Sequence, residues 1–284
     1  MSNIINIRNN IDIHSEYITP YGNVHFNNYA RHNGIRLSGG FDSAVILYML
    51  AKTLSESTTV EEPEIHPFTI IRGNPTTHEQ YTRVDVKPYA ENIIAWVRDK
   101  FPHVTIHDTH TEYANYWWVH KFENGMNLSS YSMLQDIVSN YLKWELGSGN
   151  LERFGDEKIT ATPQMLLYCE YSGLTLNPPP GELPQSDETH RDDLDSRTVI
   201  QNSLTAMHDH IEYPWSFTYE PFRNADKRVP FWLADKFGVL EDILSITRSC
   251  EGDIWNTENF TKECNECWWC LERSWAHKNY KNDK

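Results

Sequence analysis

The sequence predicts an α/β fold, a parallel sheet with helices on both faces, followed by a small C-terminal zinc-binding segment. Short apolar runs of strand length alternate with segments of helical period across residues 35–107. A glycine turn joins the first such strand to the first helix, and four cysteines cluster between residues 250 and 270. Strands that alternate with helices favour a parallel sheet, and cysteines at two-residue gaps favour a metal site.

The elements of the first half can be justified in chain order. The run at 35–37 ends at the glycine turn, and residues 43–54 are nearly all apolar, which is typical of a buried helix. Ile93, Ile94 and Val97 recur at helical spacing before Pro102, because proline cannot continue a helix. The predicted elements are strands at 35–37, 66–71 and 104–107 and helices at 43–54 and 85–100.

The second half has weaker patterns. We predict helices at 129–146, 196–210 and 230–237 and a strand at 158–162, and assign no element to 165–171. Residues 174–195 contain three consecutive prolines and an acidic run, which indicates an inserted surface loop. The predicted organisation is an N-terminal extension at 1–34, an α/β domain at 35–245 that contains this loop, and a four-cysteine segment at 246–284.

The amino-acid composition argues against two classes of partner, nucleic acids and membranes. The formal net charge of −15 would repel a phosphate backbone, which argues against a nucleic-acid partner. The sequence contains no run of the ~20 apolar residues that a membrane helix needs, and its N-terminus lacks the apolar core of a signal peptide. We therefore expect a cytoplasmic protein without a membrane partner.

The glycine turn has the composition of an anion-binding loop. Gly39 and Gly40 let the backbone turn sharply, and the helix that follows adds unpaired amides and its positive dipole end. Ser38 and Ser43 add hydroxyl groups, whereas Asp42 would repel phosphate unless it holds a metal ion. A glycine turn before a buried helix, without a ligand, is the alternative explanation.

This loop lacks the lysine of the common phosphate-binding loop. Ser38-Gly39-Gly40-Phe41-Asp42-Ser43 instead resembles the PP-loop of the N-type ATP pyrophosphatases, whose pattern is Ser-Gly-Gly-x-Asp-Ser. The resemblance implies an adenine nucleotide alpha hydrolase-like, Rossmann-like fold. It also implies that ATP is cleaved between its α and β phosphates, which leaves AMP on a substrate and releases pyrophosphate.

The cysteine cluster consists of Cys250, Cys264, Cys267 and Cys270. Four thiolates satisfy tetrahedral zinc and leave no open position, which is the arrangement of a structural site. An iron–sulfur cluster or four unpaired, buried cysteines are the alternatives. Cys169 stands alone in an apolar run, so we interpret it as a core residue.

Together, the loop and the cysteines resemble 7-cyano-7-deazaguanine synthase, a family of queuosine biosynthesis. Residues 221–222, Lys227, 234–239 and 247–250 follow the family's order, as does the Cys-x-Glu-Arg ending at Cys270, Glu272 and Arg273. The resemblance covers about half of the chain. It implies an ATP-dependent ligase that converts 7-carboxy-7-deazaguanine and ammonia into the nitrile through an acyl adenylate.

The resemblance also implies roles for individual residues. Ser38, Gly39, Gly40, Phe41, Asp42 and Ser43 would bind the ATP phosphates and Mg²⁺. Lys227 would reach the phosphates, and Asp42 and Lys227 would be the catalytic pair. The backbone near Thr69 and Ile70 would meet adenine, the four cysteines would hold Zn²⁺, and the chain would form a homodimer with only small-molecule substrates.

The middle of the chain departs from that family, since its Arg-Asn segment has no recognisable counterpart here. Another PP-loop enzyme that forms an amide or modifies tRNA therefore stays open, as does a nucleotide-binding protein without turnover. An exposed, solvated side chain is the alternative for Lys227. The proton acceptor also stays open among five histidines: His66, His78, His107, His110 and His208.

Overall fold

The computed structural model describes slightly over half of the chain. The described residues are 14–27, 31–58, 60–72, 84–114, 168–171, 173, 175, 178–179, 181–183, 218–219, 221–222, 225–252 and 254–281. Among them, no helix is both long enough and apolar enough to cross a bilayer. The predicted elements at 129–146, 158–162 and 196–210 lie outside the described residues, as does most of the predicted loop at 174–195.

The described elements comprise two sheets and five helices. The strands are β1 (His14–Thr19), β2 (Gly22–Asn27), β3 (His32–Arg36), β4 (Glu64–Arg72), β5 (Thr105–Ile106), β6 (His110–Ala114), β7 (Tyr168–Tyr171) and β8 (Thr218–Tyr219). The helices are α1 (Phe41–Glu56), α2 (Lys87–Lys100), α3 (Arg228–Lys236), α4 (Leu240–Ile246) and α5 (Trp268–Asn279).

The larger sheet is parallel in every described pairing and has the strand order β5-β4-β3-β7-β8, with β6 also paired to β4. From β3 the chain moves outward to β4 and then β5, and later returns to the other side of β3 as β7. The order therefore reverses between β3 and β7. In open parallel sheets, ligands bind outside the carboxyl ends of the strands at such a reversal.

Helix α1 is the centre of the core. Its residues are buried on almost every side because it contacts β2 and β3 as well as α2, α3 and α4. Phe41 at its first turn stacks on Phe231 of α3, with ring centroids 4.1 Å apart. A helix that is apolar all round requires this enclosure. The predicted fold class, a parallel sheet with helices and a C-terminal cysteine group, is confirmed.

The N-terminal residues contribute to this core. Strands β1 and β2 form an antiparallel hairpin whose Val24 and Phe26 are fully buried. Phe26 stacks on Tyr171 at 5.8 Å, and Tyr17 meets Phe237 edge-on. The predicted boundary at residue 35 remains a prediction, but β3 already begins at His32, and the hairpin packs against the α/β body.

Most predicted elements of the described part are confirmed with shifted ends. The helix expected at 85–100 begins at Lys87, and the one expected at 230–237 covers Arg228–Lys236. Residues 165–171, which had no assignment, include β7 beside β3. A strand of four residues whose partner is distant in the chain leaves little local signal.

Candidate functional site

The loop Ser38–Ser43 lies where the strand order reverses. It leaves the carboxyl end of β3 and ends in the first turn of α1. Gly173, which comes just after β7, approaches the loop from the other side. A Cβ added at Gly173 would lie 3.3 Å from the Ser43 amide nitrogen. The carboxyl ends of two diverging strands therefore flank the loop, which is the expected position of a ligand site in this architecture.

The loop amides bond to hydroxyl groups. The Ser38 amide donates to Ser43 Oγ at 3.3 Å, the Gly40 amide to Ser38 Oγ at 3.4 Å and the Phe41 amide to Ser249 Oγ at 3.4 Å. These bonds are long for an N–H donor. Because a hydroxyl can rotate, a phosphate oxygen can replace it as acceptor, and the first turn of α1 adds its dipole.

Gly39 allows the loop to turn. Its φ of +75° belongs to the left-handed region, and an added Cβ would lie 3.0 Å from Tyr89 Cβ and from the Val86 carbonyl oxygen. Both the conformation and the space therefore favour glycine. The Gly39 carbonyl accepts a hydrogen bond from the Arg248 amide at 3.0 Å, so the loop is also held from the C-terminal region.

A buried ion triad stands beside the loop. Lys227 Nζ lies 3.0 Å from Asp42 Oδ2 and 2.6 Å from Glu272 Oε2. Lys227 is 3% exposed and Glu272 is fully buried, which rules out the solvated alternative for Lys227. Glu272 Oε1 has no hydrogen-bond partner among the described residues, so this carboxylate keeps acceptor capacity that Lys227 does not use.

The triad holds Lys227 in its charged form. Burial by itself lowers the pKa of Lys227, but the charges of Asp42 and Glu272 and the hydrogen bonds to them outweigh it and raise the pKa above its usual 10.5. The loop thus gains a permanent cation from a distant part of the chain, although its own sequence contains none. Such a cation is suited to a phosphate group.

The predicted adenine position adjoins the loop. Strand β4 pairs with β3 only as far as Phe68, whereas its pairing with β6 continues to Arg72. Beyond Phe68, the Thr69 hydroxyl donates to the Leu37 carbonyl at 2.8 Å, just before the loop begins. The β3-facing edge of β4 at Thr69 and Ile70 therefore lies next to the loop, and its contact with adenine stays a prediction.

The four cysteines converge on one point. Cys250 and Cys264 Sγ lie 3.5 Å apart, Cys264 and Cys270 Sγ lie 3.9 Å apart, and all four sulfurs fall within 4.8 Å of one another. Four thiolates around one zinc ion stand about 3.8 Å apart for bonds of about 2.3 Å. The group can hold a metal ion, and these spacings fit a single ion.

The spacing also bears on the iron–sulfur alternative. In a four-iron cluster each cysteine binds its own iron, so the ligand sulfurs lie farther apart than those around one ion. The amides of Gly252 and Cys264 donate to Cys250 Sγ at 3.3 and 3.2 Å. A hydrogen bond with Cys270 lowers the pKa of the Cys267 thiol to about 5, whereas burial raises the pKa of Cys264 and the contact with Cys267 raises the pKa of Cys270.

Sequence reasoning noticed several of these residues without giving them a role. Ser249 precedes Cys250 and accepts from the loop, and Glu272, two residues after Cys270, completes the triad. Arg248 extends its guanidinium to the carbonyls of Phe260 and Lys262. The motifs 247–250 and 270–273 were the only available signal, because the loop residues Phe41 and Asp42 lie some two hundred residues earlier in the chain.

The candidate histidines differ in their positions relative to the loop. His66, in the amino half of β4, stacks on His107, whose centroid is 4.2 Å away. Both lie at the amino end of the sheet, opposite the loop, so neither serves as a proton acceptor there. His110 begins β6, and its role stays open. His78 and His208 lie outside the described residues.

Comparisons with known proteins find similarity among solved structures. No family model matches the chain, and no curated protein matches it. Among solved structures, the chain is similar to the U34-tRNA thiolase NcsA from Methanococcus maripaludis with its [4Fe-4S] cluster. The identity is 12%, the match covers 90% of this chain and 69% of that one, and the TM-score is 0.39. A similarity of this degree carries no functional argument.

Proposed function

We propose that this protein is an ATP-dependent enzyme of the PP-loop class that activates a carboxylate by adenylation. The observation that carries the proposal is the Asp42–Lys227 pair at 3.0 Å beside a glycine loop at the strand reversal. The site brings together loop amides whose acceptors are rotatable hydroxyl groups, an acid suited to Mg²⁺ and a buried cation. Phosphate binding alone needs no acid, so Asp42 favours turnover.

The residues have distinct tasks in this reaction. The amides of Gly40 and Phe41 and the hydroxyls of Ser38 and Ser43 bind the phosphates. The substrate carboxylate oxygen attacks the α-phosphorus, and the bond from that phosphorus to the bridging oxygen breaks. Lys227 stabilises the charge on the departing pyrophosphate, and the Asp42 carboxylate would hold Mg²⁺, which neutralises phosphate charge when bound.

The second half of the reaction needs a nitrogen nucleophile. Ammonia attacks the acyl carbon, its nitrogen loses a proton to solvent, AMP leaves with the electron pair of the broken C–O bond, and the product is an amide. A second adenylation, on the amide oxygen, followed by loss of AMP and a proton, gives a nitrile. We propose 7-carboxy-7-deazaguanine as the acceptor, and the support is the sequence resemblance at 35–106 and 219–275.

In this scheme, the four cysteines have a structural role. Cys250, Cys264, Cys267 and Cys270 would hold Zn²⁺ with no open position, and Arg248 and Ser249, immediately before Cys250, hold the phosphate loop. We propose that the metal keeps this segment folded, so that the loop has its shape before ATP arrives. Such preorganisation favours binding of the transition state over the substrate.

The test incubates the full-length protein with ATP, Mg²⁺, ammonia and 7-carboxy-7-deazaguanine and follows AMP, pyrophosphate and the nitrile by mass spectrometry. Asp42→Asn should abolish pyrophosphate release, whereas Asp99→Asn, an exposed position of α2, should not. AMP without nitrile would mean a different acceptor, including a tRNA. No AMP with any acceptor would contradict adenylation and favour a nucleotide-binding protein.

A further inference from the structure

A second group of metal-binding side chains lies at the amino ends of β3 and β4. His32 begins β3, and Glu64 and His66 stand at the start of β4. The phosphate loop follows the opposite end of β3, roughly 20 Å away for six residues of extended chain. Neither the proposed ATP chemistry nor the cysteine group uses these residues.

Their ligand atoms point at one another. His32 Nδ1 lies 3.4 Å from His66 Nε2, and Glu64 Oε2 lies 3.9 Å from the first and 3.7 Å from the second. A point equidistant from the three atoms lies about 2.1 Å from each, which matches zinc bonds to imidazole nitrogen and carboxylate oxygen, about 2.0–2.2 Å. The triangle therefore has the size of one coordination sphere.

Neighbouring residues hold the carboxylate in this orientation. His107 Nε2 lies 2.9 Å from Glu64 Oε2, and Arg31 Nη2 lies 3.6 Å from Glu64 Oε1. The His107 ring also stacks on His66, with an interplanar angle of 12°. Partners that orient a metal ligand in this way are a regular part of metal sites.

The burial pattern suits an ion that arrives from solvent. The His66 side chain is 9% exposed, whereas those of His32 and Glu64 are 18% and 22% exposed. One ligand is thus fixed in the core while the others line the opening. The alternative is a hydrogen-bonded group that only closes the end of the sheet, with one imidazole donating to the other at 3.4 Å.

We propose that His32, Glu64 and His66 bind one divalent transition-metal ion, with an open coordination position toward solvent. Two imidazoles and one carboxylate favour Zn²⁺, Co²⁺ or Ni²⁺ over Mg²⁺, which prefers oxygen ligands. The ion links β3 to β4 where both strands begin. His107 is a positioning residue that acts through Glu64.

The experiment uses the full-length protein with its cysteine site filled by zinc, to which Co²⁺ is added in an isothermal titration. We expect one further equivalent of Co²⁺ without thiolate-to-cobalt charge-transfer bands, a rise in melting temperature and no displacement by Mg²⁺. His32→Gln and Glu64→Gln should each weaken this equivalent by tenfold or more. His25→Gln is the matched control, because His25 pairs with Glu16 at 3.7 Å in the β1–β2 hairpin and is not part of the group of His32, Glu64 and His66.

Two results would overturn the proposal: no Co²⁺ bound beyond the cysteine site, or an unchanged second equivalent in both variants. Far-ultraviolet circular dichroism of the metal-free variants checks their folding. If His32→Gln unfolds, Glu64→Gln decides, because it keeps the shape of the side chain and removes the charged ligand.

Discussion

Lys227 Nζ lies 3.0 Å from Asp42 Oδ2, although one residue caps α3 and the other stands in the first turn of α1. Glu272 on α5 is the second partner of Lys227 at 2.6 Å. The triad therefore ties three helices from distant parts of the chain to the loop Ser38–Ser43. The charges of the triad should therefore affect the stability of the fold and its dependence on pH.

Lys227→Met should destabilise the fold by about 3–5 kcal/mol, because it leaves two carboxylates close together without their buried cation. Urea unfolding followed by circular dichroism measures the change. Lys100→Met is the control: Lys100 pairs with Asp242 at 3.3 Å on the surface, and such pairs contribute about 0–1 kcal/mol. Equal losses of unfolding free energy in both variants would contradict a stabilising role of the triad.

Above neutral pH, the stability difference between wild type and Lys227→Met should change only in the alkaline range. Since the folded-state pKa of Lys227 is raised above 10.5, the folded state keeps a proton that the unfolded state loses. The stabilisation is fully present below pH 10.5 and is lost as the pH rises through the folded-state pKa. Unfolding at stepwise pH should show a constant difference from pH 7 to 10 that shrinks above 10.5. A difference that grows there would contradict the raised pKa.

Gly39→Ala should be worse tolerated than Gly238→Ala. Both positions have positive φ, +75° and +68°, so each substitution costs about 1–2 kcal/mol in backbone conformation. Only at Gly39 does the new Cβ meet other atoms, at 3.0 Å, whereas nothing lies within 4 Å at Gly238. The crowding should add about 1–3 kcal/mol and weaken ATP binding in a titration. Normal ATP affinity in Gly39→Ala would contradict the proposed role of the loop in ATP binding.

Ser249→Ala should lower the rate of pyrophosphate release while the bound metal is retained. The substitution removes the acceptor of the Phe41 amide, a loss of about 0.5–1.5 kcal/mol, and leaves the backbone bond from Arg248 to Gly39 to hold the loop. Ser245→Ala is the control, because the exposed Ser245 hydroxyl bonds only locally to the Asp242 carbonyl at 2.7 Å. Unchanged turnover in Ser249→Ala would mean that the link between the cysteine segment and the loop does not affect the reaction.

Cys270→Ser should cost the protein its metal and much of its stability. The purified wild type should contain about one zinc per chain, measured by elemental analysis, and a strong chelator should lower its melting temperature. Cys169→Ser should keep the metal, since Cys169 belongs to β7 beside β3, whereas the four cysteines lie in the C-terminal segment. Iron in place of zinc, or stable metal-free protein, would contradict the assignment.

The sequence by itself determined the features that depend on neighbouring residues. The apolar run of α1, the glycine turn before it and the Cys-x-x-Cys-x-x-Cys spacing are local, so they predicted the buried helix, the anion loop and the metal group without reference to the fold. The alternation of strands and helices likewise predicted the parallel sheet.

Only the tertiary structure decided which distant residues meet. Strand order and the return of β7 beside β3 bring Gly173 against Ser43, and the packing of α3 on α1 and of α5 on α3 brings Lys227 and Glu272 to Asp42. The group of His32, Glu64 and His66 arises from the parallel pairing of β3 with β4. A contact between residues far apart in the chain depends on the whole folded core, and no local pattern encodes it.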